Sequence, residues 1–187
     1  RAVVVLASFL VQMVRVELVR FVPEAFTCPA FFELDNVLCP AQGGAIGTVY
    51  CAPAATNSTG VPGRVRAFGS PVAADGGLTL SADDLPPRSF GFFLVSRTQD
   101  TVGGPGGSLG TLCLGGDVGR YVQPGQVENS GADGTLQLVL DLSSIPQSTG
   151  AVQVTSGDTW NFQAWYRDAQ NGVPVSNLTD ATSVDFQ

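Results

Sequence analysis

Along most of the chain hydrophobic positions return every second residue, in short runs separated by glycine and proline. In "TLQLVLDL", Leu136, Leu138, Leu140 and Leu142 fall on one side, with Gln137 and Asp141 on the other. In "TWNFQAWYR", Trp160, Phe162, Ala164 and Tyr166 share a side, opposite Asn161, Gln163 and Arg167. Successive side chains of a strand point to opposite faces, so this period of two predicts half-buried antiparallel strands. Further runs of the same kind are "AIGTVYC", "RVRAFGS", "GLTLSA", "SFGFFLVSRT", "GTLCLGG", "AVQV" and "ATSVDFQ". Many short strands with regular turn signals predict an all-β fold, an antiparallel β-sandwich of Ig-like or jelly-roll type. Its core is expected to include Leu136, Leu138, Leu140, Trp160, Phe162 and Tyr166. The one helix-like stretch is "SADDLPP", where Ser81 is placed to cap a single turn before the prolines end it. "TVGGPGGSLG" reads as a flexible loop or wide turn.

The first twenty-one residues, "RAVVVLASFLVQMVRVELVRF", break this punctuation, for they hold no glycine and no proline. "AVVVLASFLV" has the length of a signal-peptide core, but no Met precedes Arg1, and the run is expected to belong to the mature chain. A membrane-spanning helix needs about 20 apolar residues, and Arg15, Glu17 and Arg20 interrupt before that. Two strands would need a turn. A single extended segment would reach ~70 Å, several strand lengths, which two neighbouring domains consume more readily than one. The expected organisation is therefore residues 1–22 as an extended N-terminal strand and 23–187 as a disulfide-stabilised sandwich.

Within that strand Val3, Val5, Phe9 and Val11 alternate, and Val14, Val16 and Leu18 form a second alternation with Arg15 and Glu17 facing out. The phase shift near Gln12 and Met13 predicts a bulge or a crossing between subunits. A free apolar strand aggregates, whereas one inserted into an edge groove of the next copy satisfies its backbone groups and completes that copy's core. Donor and acceptor differ, so the contact is heterologous and grows a filament unless a ring closes.

Composition narrows the chemistry. The chain has 187 residues, 44% hydrophobic and 13% charged, with 23 glycines and 12 prolines. That suits one domain, or one domain with an extension, rich in turns. A net charge of −7 argues against nucleic acid as partner. There is no His, and all nine basic residues are Arg. The usual general base, the commonest transition-metal ligand and the Schiff-base amine are thereby missing. The expectation is a protein that is not an enzyme and carries no cofactor or metal.

The four cysteines, Cys28, Cys39, Cys51 and Cys113, form no CxxC pair. Two disulfides in an oxidising compartment fit better than zinc. Three connectivities exist. Cys28–Cys39 with Cys51–Cys113 is favoured, the first closing a short loop and the second tying two strand-like segments, and the other two stay open.

Other constellations weigh less. Gly106–Gly110 spells GxSxG, but a nucleophile elbow needs a His base and a following helix, so Ser108 reads as a loop serine. Asp83 and Asp84 are adjacent, while Asp75, Asp117 and Asp133 sit near glycines; these suit turns better than a glycosidase pair or a calcium loop. Trp165, opposite the Trp160 face, reads either as a sugar-stacking platform or as a side chain covered by a second layer, which is the favoured reading. Asn57 and Asn177 begin N-glycosylation sequons.

"YCAPAATNSTG", "GSLGTLCLGGDVGRY", "GTLQLVLDLSSIP" and "GDTWNFQAWYRDAQNGVPVSNLTDATSVDFQ" resemble an uncharacterised β-rich module that ends many large secreted or surface proteins of environmental bacteria. The resemblance spans about Val49 to Gln187. It implies export, a β-sandwich and pairing of Cys51 with Cys113, and it brings no catalytic residues. The functional expectation is an extracellular structural protein, a bacterial filament subunit assembled by donor-strand exchange. Its partners would be other copies of itself, with no nucleic acid and no membrane in the mature form. The alternative is a cell-surface adhesion or carbohydrate-binding module whose partners are surface glycans.

Overall fold

A computed structural model describes residues 44–187 of the chain. The fold is all-β, built as an antiparallel sandwich. Its larger sheet runs in the order β1 (Thr48–Tyr50), β13 (Val173–Asp185), β12 (Thr159–Gln170) and β4 (Phe90–Ser96). The short β7 (Gly119–Arg120) and β8 (Glu128–Asn129) both pair along the far side of β4. The smaller sheet is β2 (Arg64–Gly69), β3 (Leu78–Asp83) and β9 (Leu136–Leu140). Two hairpins stand apart, β5 (Thr98–Gly103) with β6 (Thr111–Gly115), and β10 (Ile145–Gln147) with β11 (Gly150–Val152).

The core lies between the two sheets. The smaller sheet contributes Val65, Ala67, Leu78, Leu80, Ala82, Leu136, Leu138 and Leu140. The larger one faces them with Phe93, Val95, Trp160, Phe162, Ala164, Tyr166 and Val184. Burying each large side chain contributes about 1.5–3 kcal/mol. Close packing explains Gly91 on β4, where an added Cβ would come within 2.7 Å of Leu136 Cδ1 and the Trp165 carbonyl.

The "FGFFLVS" run of β4 is apolar on both faces because, past the exposed Phe90, both are covered at least in part. Phe93 and Val95 meet the smaller sheet, while Phe92 and Leu94 join Leu112, Leu114, Val118, Trp165 and Leu178 on the other side. The β5–β6 hairpin supplies part of this outer layer. It also removes Asn161 and Gln163 from water, although their alternation predicts a half-buried strand. Gln163 Oε1 accepts the Cys113 N–H at 2.9 Å, and its Nε2 donates to the Thr111 and Thr179 carbonyls at 2.9 and 2.8 Å. Asn161 receives Gln99 Nε2 at 2.9 Å and donates to the Ser96 carbonyl at 3.2 Å. A polar face thus acts as a hydrogen-bonded seam between layers, as buried polar groups require.

Two local expectations are corrected. Ser81 caps no helix: Ser81–Asp83 close β3, in register with β2 and β9, and tertiary pairing overrides the local cap signal. The stretch "TVGGPGGSLG" is not all loop, since Thr101–Gly103 end β5 and pair with β6. The long β12–β13 hairpin turns at Asn171 and Gly172, with φ of 52° and 78°. Two successive positive φ values define the type I′ turn that Asn-Gly favours.

Cys51 and Cys113 form a disulfide joining the residue after β1 to β6, with Cα atoms 6.3 Å apart. Cys28 and Cys39, the alternating residues between Val3 and Leu18, and the boundary at residues 22/23 lie outside the described residues.

Candidate functional site

One irregularity in the larger sheet organises much of the polar interior. On β12, Gln163 pairs with Ala181 and Trp165 with Leu178, so Thr179 and Asp180 of β13 stand together opposite Ala164. This bulge lets the Ala164 N–H bond to Thr179 Oγ1 at 3.0 Å. It also sends the Asp180 carboxylate, only 3% exposed, toward β2 of the other sheet. There Oδ1 accepts the Val65 N–H at 2.6 Å and Oδ2 pairs with Arg66 at 3.0 Å. The group is spent on holding the sheets together.

A second polar knot fixes the loop that follows Cys51. Asp168 Oδ1 accepts the Ser58 and Ala169 N–H groups at 3.1 and 2.8 Å, and Oδ2 accepts Asn177 Nδ2 at 3.1 Å. Asn57 donates through Nδ2 to the Asp84 carbonyl at 2.7 Å, while its Oδ1 receives the Thr59 N–H and hydroxyl. Asn57 is 6% and Asn177 0% exposed. Both amide nitrogens point inward and are committed to hydrogen bonds, so a glycan at either would displace them.

The other candidate residues fall apart from one another. Ser108 is buried and donates to the Ser176 carbonyl at 3.0 Å. Asp84 pairs with Arg64, and Asp83 accepts the Ser81 and Thr135 hydroxyls. Asp75 accepts Ser70 Oγ and Asp117 the Ser148 N–H. Among the described residues, no three His, Cys, Asp or Glu side chains converge as a metal site. Burial pushes the Tyr121 and Tyr166 hydroxyls well above the usual phenol range, and the Asp141 and Asp168 charges raise them further. These phenols act as neutral packing groups.

Two surfaces carry more. The first is the free side of β9, which pairs only with β3. It presents the backbone of Gln137 and Val139; Glu128 Oε2 takes the Gln137 N–H at 3.1 Å, and the Val139 side chain is 72% exposed. The second is the outer face of β4 and β12. Phe92 and Trp165 stack there with ring centres 5.0 Å apart, and the Arg167 guanidinium lies 5.4 Å over the indole. Phe90 stands beyond them, 56% exposed. Sequence reading singled out Trp165 but missed its partners, although Phe90 and Phe92 alternate in "SFGFFLV" as they would on one strand face. No known protein family, characterised protein or solved structure matches this chain.

Proposed function

We propose that the chain is an extracellular structural protein whose copies join by strand exchange, residues 1–21 of one copy pairing along β9 of the next. The observation that carries this reading is the open side of β9, the end strand of a three-stranded sheet. A strand laid there gains main-chain hydrogen bonds from Val139, and from Gln137 once it displaces the Glu128 carboxylate, and alternate side chains set its register. The apolar alternation of Val3, Val5, Phe9 and Val11 suits such a strand. The intramolecular Cys51–Cys113 disulfide is compatible with an extracellular location. Interior carboxylates and amides committed to holding loops and sheets in place fit a scaffold better than a catalyst.

The test is a photo-crosslinking side chain at position 139 of the full chain. The reading expects a ladder of multimers, with the crosslinked peptide drawn from residues 3–11, and filaments in micrographs. Phe9→Asp is expected to abolish both, because a buried unpaired charge costs several kcal/mol. A monomeric full-length chain crosslinked only within itself would overturn the proposal.

A further inference from the structure

The arginines of the described residues divide into two sets. Arg64, Arg66 and Arg97 are paired with Asp84, Asp180 and Asp158. Among the described residues, Arg88, Arg120 and Arg167 make no ion pair with a carboxylate, and all three are exposed. In a chain of net charge −7, unpaired cations in one region need an explanation.

The ladder places Arg120 and Arg167 along the same strand, β4. Trp165 pairs with Phe92 and Tyr166 with Gly91, so Phe90 comes opposite Arg167 one step further on. On the other side of β4, Arg120 pairs with Leu94, whose side chain belongs to the same outer face as Phe92. Arg88 lies two residues before Phe90. Two neighbouring carboxylates face the other way: Glu128 reaches back to the Gln137 N–H, and Asp168 is buried on Asn177 and Ser58. The face is thus locally cationic around an aromatic strip.

We propose that this face, the exposed Phe90 and the half-buried Phe92 and Trp165 with Arg120 and Arg167, binds an acidic polysaccharide. Pyranose rings present apolar C–H faces that stack on aromatic rings, and uronate carboxylates pair with guanidinium groups bidentately. Arg167 and Arg120 are separated by two inter-strand spacings and about four residues along β4, roughly 16 Å in all. That span matches several repeats of an extended polymer, not a single small anion. An acidic peptide is disfavoured because β4 is already paired on both sides, by β12 and by β7 and β8, leaving a peptide backbone no ladder to join. This inference uses a face other than the β9 edge of strand exchange, the two meeting only at Glu128.

The experiment is affinity electrophoresis of the native chain in gels containing polygalacturonate, neutral dextran or polyglutamate. Retardation is expected in polygalacturonate alone, weakening with added salt as paired charges are screened. Phe90→Ala and the double variant Arg120→Gln, Arg167→Gln should each weaken it about tenfold or more, equivalent to 1.4 kcal/mol. Their unfolding midpoints should stay at the parent value, since these side chains are exposed. The Phe9→Asp variant should bind unchanged, which separates failure here from failure of assembly. No retardation, equal binding of polyglutamate or dextran, or parental binding by the folded variants would each overturn the proposal.

Discussion

The Asp180 carboxylate crosses from the larger sheet to the smaller and accepts the Val65 backbone N–H at 2.6 Å. Arg66 holds the second oxygen at 3.0 Å. A charge this deeply buried is tolerated only with such partners, and removing it strands a buried donor and an arginine. Asp180→Ala is therefore expected to cost about 3 kcal/mol, within the range for a broken buried charge pair. Urea unfolding measures it. A loss below about 1 kcal/mol, the size of a surface pair, would mean the sheets are held by apolar packing alone.

Leu138 and Val139 are neighbours in sequence and opposites in environment. Leu138 is 9% exposed against the core and Val139 72% exposed. Leu138→Ala should cost ~2–5 kcal/mol, and Phe162→Ala on the facing sheet about 3–5. Val139→Ala should stay within about 0.5 kcal/mol in the unassembled chain, as surface changes do. Equal losses at 138 and 139 in denaturant titrations would show that β9 has slipped by one residue.

What the chain spelled out, and what it hid, follows from these same strands. Period-two alternation placed Leu136, Leu138 and Leu140 against Trp160, Phe162 and Tyr166, because one buried face leaves a direct trace in sequence. Asn161 and Gln163 left the wrong trace. An amide facing water and an amide bonded to a neighbouring strand's backbone look alike in a linear pattern, so Asn161 and Gln163 do not reveal that β5 and β6 form the layer expected over Trp165. The Asp168–Asn177 contact was within reach. The Asn171–Gly172 turn fixes the hairpin register, and that register sets the two residues diagonally on one face. The Asp180 bulge was not, since no residue between Thr179 and Ala181 marks an extra position. The outer arginines gather only once β7 and β12 flank β4.

Asn177 gives a prediction of its own. Its Nδ2 donates to Asp168 and its Oδ1 accepts the Leu178 N–H at 2.8 Å. Asn177→Ala leaves a buried carboxylate oxygen and a buried N–H short of partners, a cost of about 1–3 kcal/mol. Peptide mass mapping of material made in a glycosylating host should return Asn57 and Asn177 unmodified. A folded chain carrying a glycan on Asn177 would contradict the buried geometry.

Acid should loosen the fold through Asp158. Burial opposes its ionisation, but the Thr155 N–H and hydroxyl at 2.9 and 3.1 Å, with Arg97 at 3.2 Å, outweigh it. The carboxyl is thereby held below its ordinary value of 3.8. A folded-state pKa below the unfolded one means that the folded chain binds the proton less readily. The stabilisation is complete above the unfolded-state value and is lost as pH falls through the folded one. Asp141, held down by the Ser143 hydroxyl and N–H, acts in the same direction. Unfolding midpoints in urea should be flat near neutrality and fall below about pH 4, where an unfolded aspartate begins to protonate. Asp158→Asn cannot release or take up that proton, so its midpoint should start lower at pH 6 and approach the parent's as the pH falls below about 4. Parallel pH profiles for the two proteins would show that Asp158 contributes nothing to acid sensitivity and that its bonds to Thr155 and Arg97 are not maintained in solution.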